Sequence, residues 1–327
     1  MKKKTALASI LGILAALLAI THPSCGGGDN GGGTSPTQQT PQATLNMENV
    51  DDSLEYIAEN VSGCSFGDTA KTQNKWKPIV DLSLEVSDQV KSMSISQQVG
   101  AKATETETEE FDGSCGGTIE VSLTSDDETG DLSGSLSFDN FCQDVSDSQS
   151  RINGYLEFSG KIDTETDELI QLGGSTEPEG ITLEQDGDCY ILAIQNANLD
   201  IEGDTTTATL DSFFYMPCSE VKKYRVENLT AQVTDEGTTT EITASGQFIH
   251  PEEGAVNFRT LQPIIISDDE EILSGQVEIT GAGNTRALLT ASGDNVFEVQ
   301  ADTDGDGVYD YFPDNLDCSE FDLDLQL

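Results

Sequence analysis

The chain has 327 residues, with 60 Asp and Glu against 15 Lys and Arg and a formal net charge of −45. A field of that sign repels phosphate backbones, and nucleic-acid binding draws on clustered Lys and Arg, so nucleic acid is excluded as a partner. The same charge argues against side-chain docking on anionic lipid headgroups, which leaves covalent attachment or bridging divalent cations as routes to a membrane.

Lys2, Lys3 and Lys4 precede an apolar run from Ala6 to Ile20, a signal-peptide length too short to span a bilayer, so residues 1–24 read as an export signal. The following Thr21-His22-Pro23-Ser24-Cys25 and the glycine-rich run from Gly26 to Gly33 resemble the lipobox cysteine and flexible tether of bacterial lipoproteins. His22 and Pro23 stand where that family has an aliphatic and a small residue. The resemblance implies that Cys25 is lipidated and opens the mature chain. Gly26 after it, in place of Asp, implies sorting to the outer membrane, with a soluble secreted or periplasmic chain as the alternative.

Cysteine parity agrees with that resemblance. There are seven cysteines, at 25, 64, 115, 142, 189, 218 and 318, and assigning Cys25 to lipid leaves six for three disulfides in an oxidising compartment. No CxxC occurs, so thioredoxin-like redox chemistry and zinc ribbons lack their spacing.

Residues 25–44 carry Gly, Ser, Thr, Gln and Pro and read as a disordered tether. Residues 45–99 read as a helical segment packed on a sheet. Val50, Leu54, Ile57, Ala58 and Val61 recur at helical spacing, as do Ile79, Leu82, Val86, Val90 and Met93 behind Pro78. After the acidic stretch Thr104 to Glu110 the period changes from 3.6 to 2.

The cleanest strand runs from Ile152 to Ile162, where Ile152, Leu156, Phe158 and Ile162 alternate with Asn153, Tyr155, Glu157 and Lys161. Similar alternation marks Thr118 to Leu123, Gly134 to Phe138, Glu241 to Phe248, Leu273 to Ile279 and Val296 to Ala301, separated by acidic turn-rich links. A weak repeat joins Leu132–Phe138, Ile152–Phe158 and Leu273–Ile279, which the shared composition of strands in one curved sheet explains. The expected fold is mainly β: residues 100–327 form a large antiparallel meander, a curved sheet or incomplete barrel, with two amphipathic helices at its N-terminal side.

Paired positions of an antiparallel hairpin have a constant sum, which predicts a disulfide map. Cys115 with Cys142 falls within a bulge of the register set by a turn from Leu123 to Leu132. Cys189 with Cys218 does the same for a turn from Ile201 to Asp204. Cys64 with Cys318 then remains, tying the helical segment to the C-terminal one.

The strongest chemical signal is Asp302-Thr303-Asp304-Gly305-Asp306-Gly307-Val308-Tyr309-Asp310, followed by Asp314 and Asp317. Ca2+ takes six to eight hard oxygens, and Asp302, Asp304, Asp306, the Val308 carbonyl, Asp310 and Asp314 would supply them from one short segment. The loop resembles those of EF-hands and, more closely, thrombospondin type 3 repeats, through its DxDxDGxxD core and Asp314-Asn315. Pro313 replaces the bidentate Glu of an EF-hand and a strand precedes the loop, so the expected site is structural, within 302–317.

Catalytic groups are sparse. Gly63-Cys64-Ser65-Phe66-Gly67 fits GxSxG, but a predicted helix precedes it where a nucleophile elbow needs a buried strand. His250 is the only histidine beyond the export signal and stands beside Pro251 in a turn. Trp76 is the single tryptophan, and no phosphate- or dinucleotide-binding glycine motif occurs.

The resulting expectation is a non-enzymatic, lipid-anchored, acidic envelope protein, structural or adhesive, with Ca2+ and no organic cofactor. Its partners would be the membrane through the N-terminal lipid, divalent cations, and an envelope protein or lipid. The alternatives are a lipid or apolar-ligand carrier using the concave sheet face, and a carboxylate-dependent secreted hydrolase. Adaptation to high salt is a rival explanation of the acidity.

Overall fold

The computed structural model describes residues 41–45, 65–66, 105–126, 128–145, 148–166, 169–185, 188–219, 223–267, 271–293, 295–312 and 316–317. Both expected helices, the export signal, Cys25, Cys64, Asp314 and Cys318 lie outside them.

The period-2 segments form one antiparallel sheet. Its strands are β1 (Ser65–Phe66), β2 (Glu105–Asp112), β3 (Gly116–Ser125), β4 (Asp131–Val145), β5 (Ser148–Ile162) and β6 (Leu169–Thr176). Then come β7 (Ile181–Gln185), β8 (Asp188–Glu202), β9 (Thr205–Pro217), β10 (Tyr224–Asp235), β11 (Thr239–His250) and β12 (Gly254–Ser267). The last are β13 (Ile272–Thr280), β14 (Arg286–Gly293), β15 (Val296–Asp302) and β16 (Leu316–Asp317). Neighbours in sequence are neighbours in the sheet from β2 to β6 and from β8 to β16, the meander that short polar turns produce. β6 and β7 both pair with β5 and with β8, so they are one strand interrupted at 177–180.

Side-chain alternation decides which face is buried. Ile119 and Val121, Leu156 and Phe158, Ala197 and Leu199, and Phe297 and Val299 all point into a single apolar core. Every strand from β3 to β15 contributes to that core. The other face carries Ser, Thr, Asp and Glu, with cross-strand bonds such as Thr106 to Thr124 at 2.8 Å.

Irregularities cross the middle of the sheet. Asn140, Asn196 and Asn228 adopt φ of 49°, 51° and 53°, the left-handed conformation that Asn tolerates best after Gly. Asn196 and Asn228 flank Asp211 from either side, and the Asn196 side-chain amide donates to Asp211 Oδ2 at 2.7 Å. The register shifts between Phe138 and Phe141 in the β4–β5 pair and between Glu227 and Thr230 in the β10–β11 pair, as expected where an extra residue bends a strand.

Both hairpin disulfides form. Cys115 bonds Cys142 just past a register shift between Gly116 and Thr118, and Cys189 bonds Cys218 one step beyond Tyr190 opposite Pro217.

Two segments depart from the sequence reading. The acidic stretch Thr104 to Glu110, read as preceding the alternating strands, lies largely in the edge strand β2; Thr106, Thr108, Glu109 and Glu110 face water while the strand's backbone pairs with β3. Residues 41–44, assigned to the tether by composition, are fastened to the sheet: Gln42 bridges Ala255 in parallel, and Ala43 and Leu45 are buried.

Candidate metal site at the C-terminal Asp loop

The aspartate-rich loop begins where β15 ends. Asp302 is the last residue of that strand and is only 1% exposed. A buried carboxylate needs hydrogen bonds, and the loop folds back to supply them. Asp302 Oδ1 accepts the Gly305 N–H at 2.8 Å and Oδ2 accepts the Gly307 N–H at 2.9 Å. Two Asx turns follow, in which Asp304 Oδ1 accepts the Asp306 N–H at 3.1 Å and Asp306 Oδ1 accepts the Val308 N–H at 2.8 Å.

This winding gathers three carboxylates. Asp302, Asp304 and Asp306 each offer one oxygen, and the three atoms lie within 4.8 Å of one another. Each carboxylate oxygen has two acceptor sites, so accepting one backbone N–H leaves capacity for a cation. Oxygen donors of this kind suit a hard divalent ion such as Ca2+.

Asp310 plays another part. Its Oδ1 accepts the Thr303 N–H at 3.1 Å and the Thr303 hydroxyl at 3.2 Å, and its own N–H donates to the Ala301 carbonyl at 2.9 Å. It closes the base of the loop across Thr303. Val308 and Phe312 are exposed beside it.

The loop also holds a group that the sequence reading did not include. Arg286 stands opposite Asp302 in the β14–β15 ladder. Its Nε faces Asp302 Oδ2 at 3.5 Å, its Nη2 donates to the Gly307 carbonyl at 2.8 Å, and its guanidinium lies 5.0 Å from the centre of the Tyr309 ring. The signal was available only through register: once Ala287 is set against Ala301, the next pair is Arg286 and Asp302.

Other singled-out residues lie elsewhere. Ser65 of the GxSxG match sits in β1, paired with Asp317. His250 ends β11, where its Nδ1 accepts the N–H groups of Glu252 and Glu253 at 3.3 and 3.1 Å and its ring meets Tyr224 edge-on at 5.3 Å. That nitrogen caps a turn.

No protein-family model, curated protein or solved structure matches the chain.

Proposed function

We propose that this chain is an exported, acidic envelope protein, held to the membrane by lipid on Cys25, whose C-terminal loop binds Ca2+ as a structural ion. The observation that carries this reading is the convergence of the Asp302, Asp304 and Asp306 carboxylates within 4.8 Å. Ca2+ would stiffen the end of β15 by neutralising charges that otherwise repel one another. The role is non-enzymatic, structural or adhesive, with the sheet curled into an incomplete barrel. Curling would bury the apolar face of such a sheet, on which Ile119, Phe141 and Ile279 are almost fully buried. The ion site is tested by Ca2+ titration of the parent beside an Asp304→Ala, Asp306→Ala variant. The anchor is tested by Cys25→Ser, which should move the protein from the membrane to the soluble fraction.

The continuous apolar face from β3 to β15 also favours a second reading, a carrier of lipid or another apolar ligand. Native mass spectrometry detecting a co-purified lipid would favour it over the first.

A further inference from the structure

The short segment Pro41–Leu45 and the Asp loop touch opposite flanks of one turn. On the first flank, Pro41 O accepts the Ala255 N–H at 2.9 Å and Ala43 N–H donates to Ala255 O at 2.8 Å. Ala43 O then accepts the Ala282 N–H, and Leu45 N–H donates to Thr285 Oγ1 at 3.0 Å. Thr285 is buried and its hydroxyl donates onward to Ala282 O at 2.8 Å. The strap is therefore bonded to both ends of the turn 282–285, and its Ala43 and Leu45 side chains enter the core.

On the second flank, the loop presses on the same turn. An added Cβ on Gly305 would collide with the Gly283 carbonyl, so loop and turn backbones are in direct contact. Arg286, the next residue after Thr285, reaches Gly307 O and Asp302. The turn is a 3-10 segment of three residues, Ala282–Asn284, with Gly283 and Asn284 at φ of 66° and 67°; its own bonds run from Gly281 N–H to Thr285 O at 2.9 Å and from Thr285 to Ala282 O, and Thr285 is also the residue that the strap grips. Such a turn is positioned by what packs on either side of it.

We infer that the Pro41–Leu45 strap is a latch for the Asp loop: docking of the strap sets the 282–286 turn, and the turn holds Gly305, Gly307 and Asp302 in their hydrogen-bonded arrangement. A pull on the chain before residue 41, or cleavage within it, would loosen the loop some distance along the fold. The coupling runs through contiguous contacts and is reciprocal, so loosening the loop weakens strap docking as well. It does not depend on Ca2+, and its test is made without added metal.

Gly281 provides the probe. It has φ of −108° and ψ of −167°, a conformation open to any residue, so alanine there strains no backbone. Its new Cβ would lie 2.5 Å from Ala43 O in the strap and 2.8 Å from Thr285 Oγ1 in the turn, so alanine there displaces the strap and presses on the hydroxyl that receives it. Leu45→Asp releases the strap from its other side without altering the turn.

The experiment is hydrogen exchange and limited proteolysis on the purified exported chain and these two variants, in chelator. The expected result is faster cleavage between residues 26 and 46, and at least tenfold faster exchange of the Gly305 and Gly307 amides in both variants. The Leu136 and Phe213 amides should keep parental protection. Unchanged Gly305 and Gly307 exchange with a freed strap would overturn the inference, as would an undisturbed strap in both variants. Equal loss of protection at Leu136 and Phe213 would also overturn it, because the strap would then be one with the global core.

Discussion

Arg286 and Asp302 face each other across the β14–β15 ladder, with Nε 3.5 Å from Oδ2, and the same guanidinium holds the Gly307 carbonyl at 2.8 Å. Asp302 is buried and Arg286 about one-third exposed, so the pair sits at the boundary between core and loop. Arg286 thus neutralises part of the charge that a cation would otherwise meet while keeping the loop wound.

Replacing Arg286 by Gln removes the positive charge and, the side chain being two bonds shorter, also the Nη2 bond to the Gly307 carbonyl. Two unit charges at about 4 Å interact by about 1 kcal/mol in water, and a divalent ion doubles the product. Arg286→Gln is expected to tighten Ca2+ binding by about tenfold at low salt, read by calorimetric titration, while lowering the stability of the metal-free protein. Unchanged affinity would mean that Arg286 does not face the ion.

Much of the sheet was legible because half-buried strands alternate. Ile152–Ile162 lies wholly within β5, since Leu156 and Phe158 point inward while Tyr155 and Glu157 point out. Glu105–Asp112 gave only a weak strand signal, because Thr106, Thr108, Glu109 and Glu110 of this edge strand face water and Phe111 is its one apolar residue; its backbone bonds to β3 hold it. The second half of β12, Leu261 to Ile266, escaped because repeated register shifts against β13 break the period of two. The three clustered aspartates were legible from spacing because the loop is local. Arg286 was not, because its place follows from strand pairing; the carboxylate of Asp310, expected as a ligand, bonds Thr303.

The two hairpin disulfides close sequence separations of 27 and 29 residues. Loops of that size restrict the unfolded chain by about 3.5 kcal/mol each. Replacing either pair by Ser should lower unfolding stability by about that amount in urea titrations, and the double replacement should approach the sum, the pairs being independent. A loss well under about 1 kcal/mol for each pair would contradict their role as staples.

The β1–β16 ladder sets Ser65 against Asp317 and Phe66 against Leu316. Cys64 directly precedes Ser65 and Cys318 directly follows Asp317 in the sequence. Non-reducing peptide mapping should therefore recover a Cys64–Cys318 peptide. Recovery of Cys64 linked to Cys115 would contradict the pairing.

Asp163 offers a pH readout away from the loop. Its Oδ1 accepts the Thr166 N–H at 3.0 Å and the Glu165 N–H at 2.7 Å, and these bonds hold its carboxyl below the ordinary value of 3.8. A lowered folded-state value means that the turn's contribution is present above the unfolded value and lost as pH falls through the folded one. An NMR titration should place the Asp163 midpoint below 3.8, with the Glu165 and Thr166 amides shifting at the same midpoint. A midpoint at or above the ordinary value would contradict these bonds in solution.

If Asp302, Asp304 and Asp306 hold a structural cation, calorimetric Ca2+ titration of the exported chain with Cys25→Ser will register it. The expected result is saturable binding at about 10⁻⁴ to 10⁻³ M, a melting temperature that rises with Ca2+, and loss of both in the Asp304→Ala, Asp306→Ala variant. No binding at millimolar Ca2+, or binding that survives in the variant, would contradict the assignment.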